Sequence, residues 1–217
     1  MYQALLRRLA LRCPGAALRA VALLLGVGLL GCALLGCPPS FAPLRPELLA
    51  MADHRDALGL VAALDRLIDE ERVTDDDRES AYHAITLWED PTAGYAFARA
   101  ALAGRVAQIR GLSASGYAQE VEQYARLCQK RDPGFRDGAA TRMLGTLYVL
   151  APSAILKHGD SEAGLDMLEK LTAQKPAETE NHLRLAEAYI ALGDPDPAGP
   201  HLCLCHQKRA SLRRESR

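Results

Sequence analysis

Three groups of residues in this chain have types that could do chemistry. The first is a run near the C-terminus: His201, Leu202, Cys203, Leu204, Cys205 and His206. It holds the imidazoles and thiols that bind zinc. Its spacing argues against a single ion. On a helix, residues two apart point about 200° from each other, so Cys203 and Cys205 face opposite ways. Core packing is the expected role of Cys205. The second group is Asp75, Asp76 and Asp77. It lacks the ordered spacing and the Gly of a calcium loop. It suits the first turn of a helix, where carboxylates meet the positive end of the dipole. The third is His83, Glu89 and Asp90. These are acid–base types, but no nucleophile motif such as Gly-x-Ser-x-Gly accompanies them. No metal, cofactor or catalytic residue is therefore expected.

The remaining reactive candidates are the thiols near the N-terminus. Residues 1–36 carry Arg7, Arg8, Arg12 and Arg19 and no acid, and residues 20–31 are wholly apolar. That is the basic flank and apolar core of a signal peptide. It ends in Leu29, Leu30, Gly31, Cys32 and then Leu34, Leu35, Gly36, Cys37. Both resemble the lipobox of bacterial lipoproteins, in which the Cys thiol takes a diacylglycerol. Only one Cys can become the new N-terminus. Cys37 is preferred, because Pro38, Pro39 and Ser40 begin a polar tether behind it. Cys32 is the alternative. An uncleaved membrane helix over 16–35 is the competing reading, being just long enough to span. Neither Pro38 nor Ala33 is the Asp that retains some lipoproteins at the inner membrane, which favours the outer one. The expected location is the periplasmic face of a bacterial membrane.

These cysteines imply the elements that follow them. The expected organisation is a signal peptide at 1–36, a Pro-rich tether at 37–46, a helical domain at 47–208 and a basic, frayed tail at 209–217. The chain has 217 residues, with 26 basic and 27 acidic ones. Loss of the leader's four arginines leaves the remainder near −5. A mildly acidic domain has no electrostatic drive towards nucleic acid. Hydrophobic residues make up 49% and aromatics only 5%. Ala and Leu dominate, which favours helix over strand. Cys128, Cys203 and Cys205 are an odd set for a disulfide framework.

Apolar periodicity and caps predict helices over 47–71 (one, or two broken near Asp53), from Thr74 to Trp88, and from Asp90–Pro91 to Gly111. Ser115 opens another, and Asp132, Pro133 and Gly134 make a turn. Further helices are expected at about 136–150, 160–174, 178–192 and 196–208. No period-two alternation occurs, so the fold class is all-α. Trp88, Tyr82, Tyr95 and Phe97 are expected in the core in preference to a groove.

The last third carries an internal repeat. Tetratricopeptide units place Leu-Gly-x-x-Tyr on a first helix, then a small and a large residue on a second, then a closing Pro. Leu185, Ala186 and Tyr189 fit the first helix, with Ala198 and Leu202 on the second. The preceding unit has Leu144, Gly145 and Tyr148, then Ala163, Met167 and Pro176. Between Tyr148 and Ala163 the loop is longer than the repeat requires. An α-α superhelix of such units is expected.

Asp132 to Phe135, Gly138, Ala139, Arg142 to Tyr148, Ala151, Pro152, Gly159 and Asp160 together resemble the T-component family of TRAP transporters. Those are tetratricopeptide-like periplasmic lipoproteins associated with tripartite ATP-independent uptake systems and their solute-binding proteins. The resemblance covers about 47–206 and is clearest over 132–198. It implies an all-helical, homo-oligomeric scaffold with a groove or pore, no catalytic residue, and a solute-binding protein or other envelope protein as partner. A generic tetratricopeptide adaptor in envelope assembly or secretion is the alternative. A metal-dependent hydrolase using the Cys/His run is a third reading.

Overall fold

A computed structural model describes residues 41–215, apart from the side chains of Leu112 and of residues 210–215. The leader, Cys32, Cys37 and the tether up to Ser40 lie outside the described residues.

The described chain is all-α, with no strand among its residues. Its helices are α1 (Pro46–Asp53), α2 (Ala57–Asp69), α3 (Asp75–Thr86), α4 (Ala93–Arg110), α5 (Ser115–Arg131), α6 (Ala139–Leu150), α7 (Ser161–Gln174), α8 (Thr179–Ala191) and α9 (Ala198–Glu215). Side-chain oxygens set several starts by accepting the orphan N–H groups of the first turn. Asp56 accepts from Gly59 N at 2.8 Å, Thr92 from Tyr95 N at 3.2 Å and Asp160 from Ala163 N at 2.9 Å. Thr74 and Asp77 form a reciprocal capping box. Thr74→Ala is expected to cost about 1 kcal/mol of unfolding free energy, read from urea melts.

Several boundaries differ from the sequence reading. Of the two readings of 47–71 the structure has the second, two helices that break after Asp53, where Arg55 adopts a positive φ of 51°. The Asp90–Pro91 start moves to Thr92, since Asp90 accepts the Thr92 N–H instead of opening the helix itself. The helix expected from about 136 begins at Ala139. Arg136, Asp137 and Gly138 all have positive φ, ending in 85° at Gly138. Glycine suits the φ of 85° there, and a Cβ would also displace the Leu171 side chain, whose Cδ1 would lie 2.5 Å away. The last helix, α9, continues to Glu215. No Gly or Pro follows Pro200 to stop it, and Arg, Leu and Lys are good helix formers.

Residues 41–45 are tied down as well. The Phe41 ring stacks on His83 with centroids 3.8 Å apart. Arg45 donates to both oxygens of Asp77 at 3.2 and 2.9 Å. His83 and Asp77 thus serve the fold. Asp77 is held below the usual carboxylate range: burial opposes ionisation, but the bonds from Thr74 and Arg45 outweigh it.

Consecutive helices pack as pairs, α4 on α5, α6 on α7 and α8 on α9, while α2 rests on α4 and α8 on α6. Leu48, Leu60, Leu64, Leu67, Ile85 and Leu102 form one core cluster with Tyr95. Trp88 and Tyr82 pack against its edge. Leu144 and Tyr148 belong to a second cluster, with Val121 and Ala125. Leu168, Leu185 and Ala188 form another, joining α7 to α8.

The repeat positions can now be placed. Leu144, Gly145, Tyr148, Leu185, Ala186 and Ala198 are buried, while Tyr189 is half-buried and Pro176 exposed. On α7 the expected pair lies one residue before the most buried one, though Met167 still packs against the Leu144–Tyr148 cluster. Ala163 and Met167 are only half-buried; Gly164 and Leu168 are the buried pair. Two pairs with the same spacing look alike in the sequence. The close approach decides between them, because a Cβ at Gly164 would lie 2.7 Å from Gly145 O. Leu202 is also corrected, being 40% exposed. The repeat expectation put a large residue there to meet a further helix pair; α9 is the last helix among the described residues.

Candidate functional site

The most built part of the surface lies where the lengthened loop, residues 151–160, folds back over α5. A cleft of about 520 Å³ opens there, lined by residues of α4, α5 and the loop. Its anchor is Glu122. The apolar positions Ala118, Val121, Ala125 and Cys128 turn one face of α5 inward, and Glu122 sits on that face, 1% exposed. Its carboxylate accepts from Tyr148 Oη at 3.0 Å, Lys157 N at 2.9 Å and His158 N at 2.9 Å. Burial alone would raise its pKa, but these donors outweigh burial and hold it below the usual carboxylate range. Glu122 is therefore a fixed anion that clasps the loop. It is a poor general acid.

The loop has further ties. Gln119 donates its side-chain amide to Ile155 O at 3.1 Å. Gly159 lies flat on the Tyr148 ring: a Cβ there would come within 2.4 Å of Cδ2. Leu156 packs against the second core cluster. The feature that departed from repeat spacing is thus an ordered wall of the cleft.

The cleft floor is a second network. The guanidinium of Arg99 pairs with Glu120 and donates to Tyr95 Oη at 3.3 Å. It also lies over the rings of Tyr124 and Tyr82, at 4.9 and 5.7 Å from their centroids, within the range of cation–π attraction. Tyr82 donates its hydroxyl to Glu120 as well. Burial and that carboxylate raise the Tyr82 pKa, so its proton stays on. Glu120 is thus paired with one cation and accepts a second, neutral donor. Beyond it, α5 presents Gln119, Gln123, Arg126 and Lys130, all exposed and at helical spacing. A second cleft of about 510 Å³ adjoins the first, sharing Gln123 and Arg126 with it.

The Cys/His run lies elsewhere, on α9. Cys203 is exposed, and Gln207 donates to its sulfur at 3.5 Å. Cys205 faces Thr179 O of α8 at 3.6 Å. His201 meets a residue that sequence reasoning did not pick out: its Nδ1 is 2.7 Å from Nδ1 of buried His182. His182 Nε2 lies 2.9 Å from Pro176 O and so carries the proton. His182 Nδ1 then accepts, and His201 Nδ1 donates. Burial and the neighbouring imidazole lower the His201 pKa. Among the described residues, no group of three or more His, Cys, Asp or Glu side chains is placed to hold a metal ion. The buried thiol, Cys128, has its pKa pushed by burial up to about 11 and packs with Ala96 and Ala140.

Asp75 and Asp76 project from the first turn of α3 and are exposed. Tyr95 is core, Phe97 lies against Phe135 with centroids 5.4 Å apart, and neither lines the cleft. Sequence reasoning missed Glu122, Arg99, Glu120 and the exposed stripe of α5. One signal was present: a carboxylate inside the apolar stripe 118–128. No helix among the described residues is long and apolar enough to cross a membrane. No protein-family model matches this chain, and no curated protein matches it.

Proposed function

We propose that the chain is a non-catalytic helical-repeat binding subunit, lipid-anchored through Cys37 at the periplasmic face of a bacterial membrane, where it serves a TRAP-type solute uptake system as a scaffold. The observation that carries this reading is the clasped loop. A saturated carboxylate, Glu122, holds an ordered wall over an open polar cleft. Glu122 is committed to donors and Glu120 to Arg99 and Tyr82. That arrangement suits holding a partner in place better than transferring a proton. Paired helices with a Gly145–Gly164 approach support a tetratricopeptide-like stack, in which small residues let neighbouring helices close. Such stacks bind by shape, and lipid keeps the binding surface near its membrane.

The anchor has a direct test. Radioactive fatty acid is expected to label the wild-type chain and not Cys37→Ser combined with Cys32→Ser. Unchanged labelling of the double variant sinks the lipid anchor. The partner is tested by cross-linking the tagged chain in intact cells. Capture of a solute-binding protein and its permease supports transport. Capture of envelope-assembly proteins instead replaces that reading with a general adaptor.

A further inference from the structure

We infer that the exposed stripe of α5, continued by the clasped loop, binds an extended acidic segment of a partner protein. The inference rests on the binding-subunit reading and adds a surface and a partner chemistry to it.

Charge is the first reason. The carboxylates of α5 beside the cleft are already satisfied within the chain: Glu120 by Arg99 and Tyr82, Glu122 by Tyr148 and the loop N–H groups. The cations of the same surface meet no carboxylate: Arg126 is bonded only to the Tyr148 hydroxyl, and the side chains of Lys130 and Lys157 have no hydrogen-bond partner among the described residues. Arg126, Lys130 and Lys157 are exposed, and none of them enters an ion pair among the described residues. The uncompensated charge here is positive, on a chain whose acidic residues outnumber its basic ones. A local field of that sign draws a carboxylate-rich segment.

Shape is the second reason. The two clefts share Gln123 and Arg126, so they form one trough along α5. From Gln119 to Lys130 a helix rises about 17 Å. An extended chain covers that length in about five residues. Arg126 and Lys130, one helical turn apart, can each meet a different carboxylate along such a segment. The amide of Gln123 can both donate to and accept from a peptide backbone. Arg126 and Lys157 line the first cleft and Lys130 the second, so the cations extend over both, farther than one small anion reaches.

The test uses the full chain isolated in detergent and a fluorescein-labelled octaglutamate, with octaglutamine as control, read by anisotropy. Octaglutamate is expected to bind at least tenfold tighter than octaglutamine, and to weaken as salt rises. Lys130→Glu combined with Lys157→Glu is expected to lose that binding tenfold or more. Among the described residues neither side chain makes a hydrogen bond, so the melting temperature should hold. Equal binding of the two peptides overturns the proposal. So does octaglutamate binding that the double variant leaves intact. Free glutamate competing at the same concentration as octaglutamate points to a small-anion site and also overturns it. In the cross-linking experiment above, a partner captured equally by wild type and double variant ends this inference and leaves the binding-subunit reading standing. A chain that captures nothing ends that reading even if octaglutamate binds.

Discussion

Gly164→Val is expected to destabilise the domain by about 3 kcal/mol, a large share of the roughly 5–15 kcal/mol typical of a folded domain. Helices α6 and α7 touch through backbone at this point. A Cβ on Gly164 would sit 2.7 Å from Gly145 O, 2.8 Å from Tyr148 Cβ and 2.9 Å from Val149 N. The partners are backbone and a side-chain root, so none can swing away. The helices must separate, and Leu168 and Tyr148 lose contacts on both sides. Gly104→Ala, in the interior of α4, is the matched control. A Cβ there meets only Val121 Cγ2, at an ordinary 3.7 Å. That change is expected to stabilise by about 0.5–1 kcal/mol, because alanine orders more cheaply in a helix. Urea denaturation of both variants measures the contrast. Equal effects would show that helix propensity, and not the α6–α7 approach, governs these sites.

Glu122→Ala has the second largest expected effect, a loss of about 3 kcal/mol with the damage concentrated in the loop. It removes the common acceptor of Tyr148 Oη, Lys157 N and His158 N. Donors left without a partner cost about 1–3 kcal/mol each when buried, and less where water reaches the loop. Amide exchange at Lys157 and His158 should accelerate together, while exchange in α2 is unchanged. Glu122→Gln should fall between the two. Its one remaining carbonyl oxygen serves part of the donor set, and its NH₂ opposes a donor.

The pH dependence separates charge from shape. The folded-state pKa of Glu122 is depressed. Its ionised form therefore stabilises the fold above the ordinary carboxylate range, near 4. That contribution is lost as pH falls through the depressed value. The stability gap between wild type and Glu122→Gln should be full at pH 7 and shrink as pH drops from about 5 towards 3. A gap that stays constant over that window would mean that Glu122 acts through packing alone.

Much of the architecture was legible residue by residue. Thr74 announced its helix because a β-region hydroxyl followed by acids is a local signal, complete within four residues. Leu144, Gly145 and Tyr148 announced a packing face because three residues at helical spacing need no partner to be read. Ala163 and Met167 were misread by one position, since the choice between Ala163 and Gly164 depends on where Gly145 lies. Leu202 was expected to pack and is 40% exposed, because whether a helix face is covered depends on which helices lie against it.

The site was far less legible. Glu122 and the loop N–H groups it accepts from are 35 and 36 residues apart. Arg99 and Glu120 are 21 apart. His182 and His201 are 19 apart, on different helices. No local pattern predicts such meetings, because each depends on how one helix pair rotates against the next.

By itself, then, the amino-acid order determined what is local in this protein: helices and their caps, apolar faces, the Leu-Gly-x-x-Tyr step and the acidic balance. Tertiary structure alone decided which carboxylates are consumed and which cations are left over. It turned the lengthened loop after Tyr148 into a clasped wall instead of a free excursion. The physical reason is range. Caps and periodicity act within one or two helical turns, whereas charge satisfaction is settled by neighbours that only packing brings together.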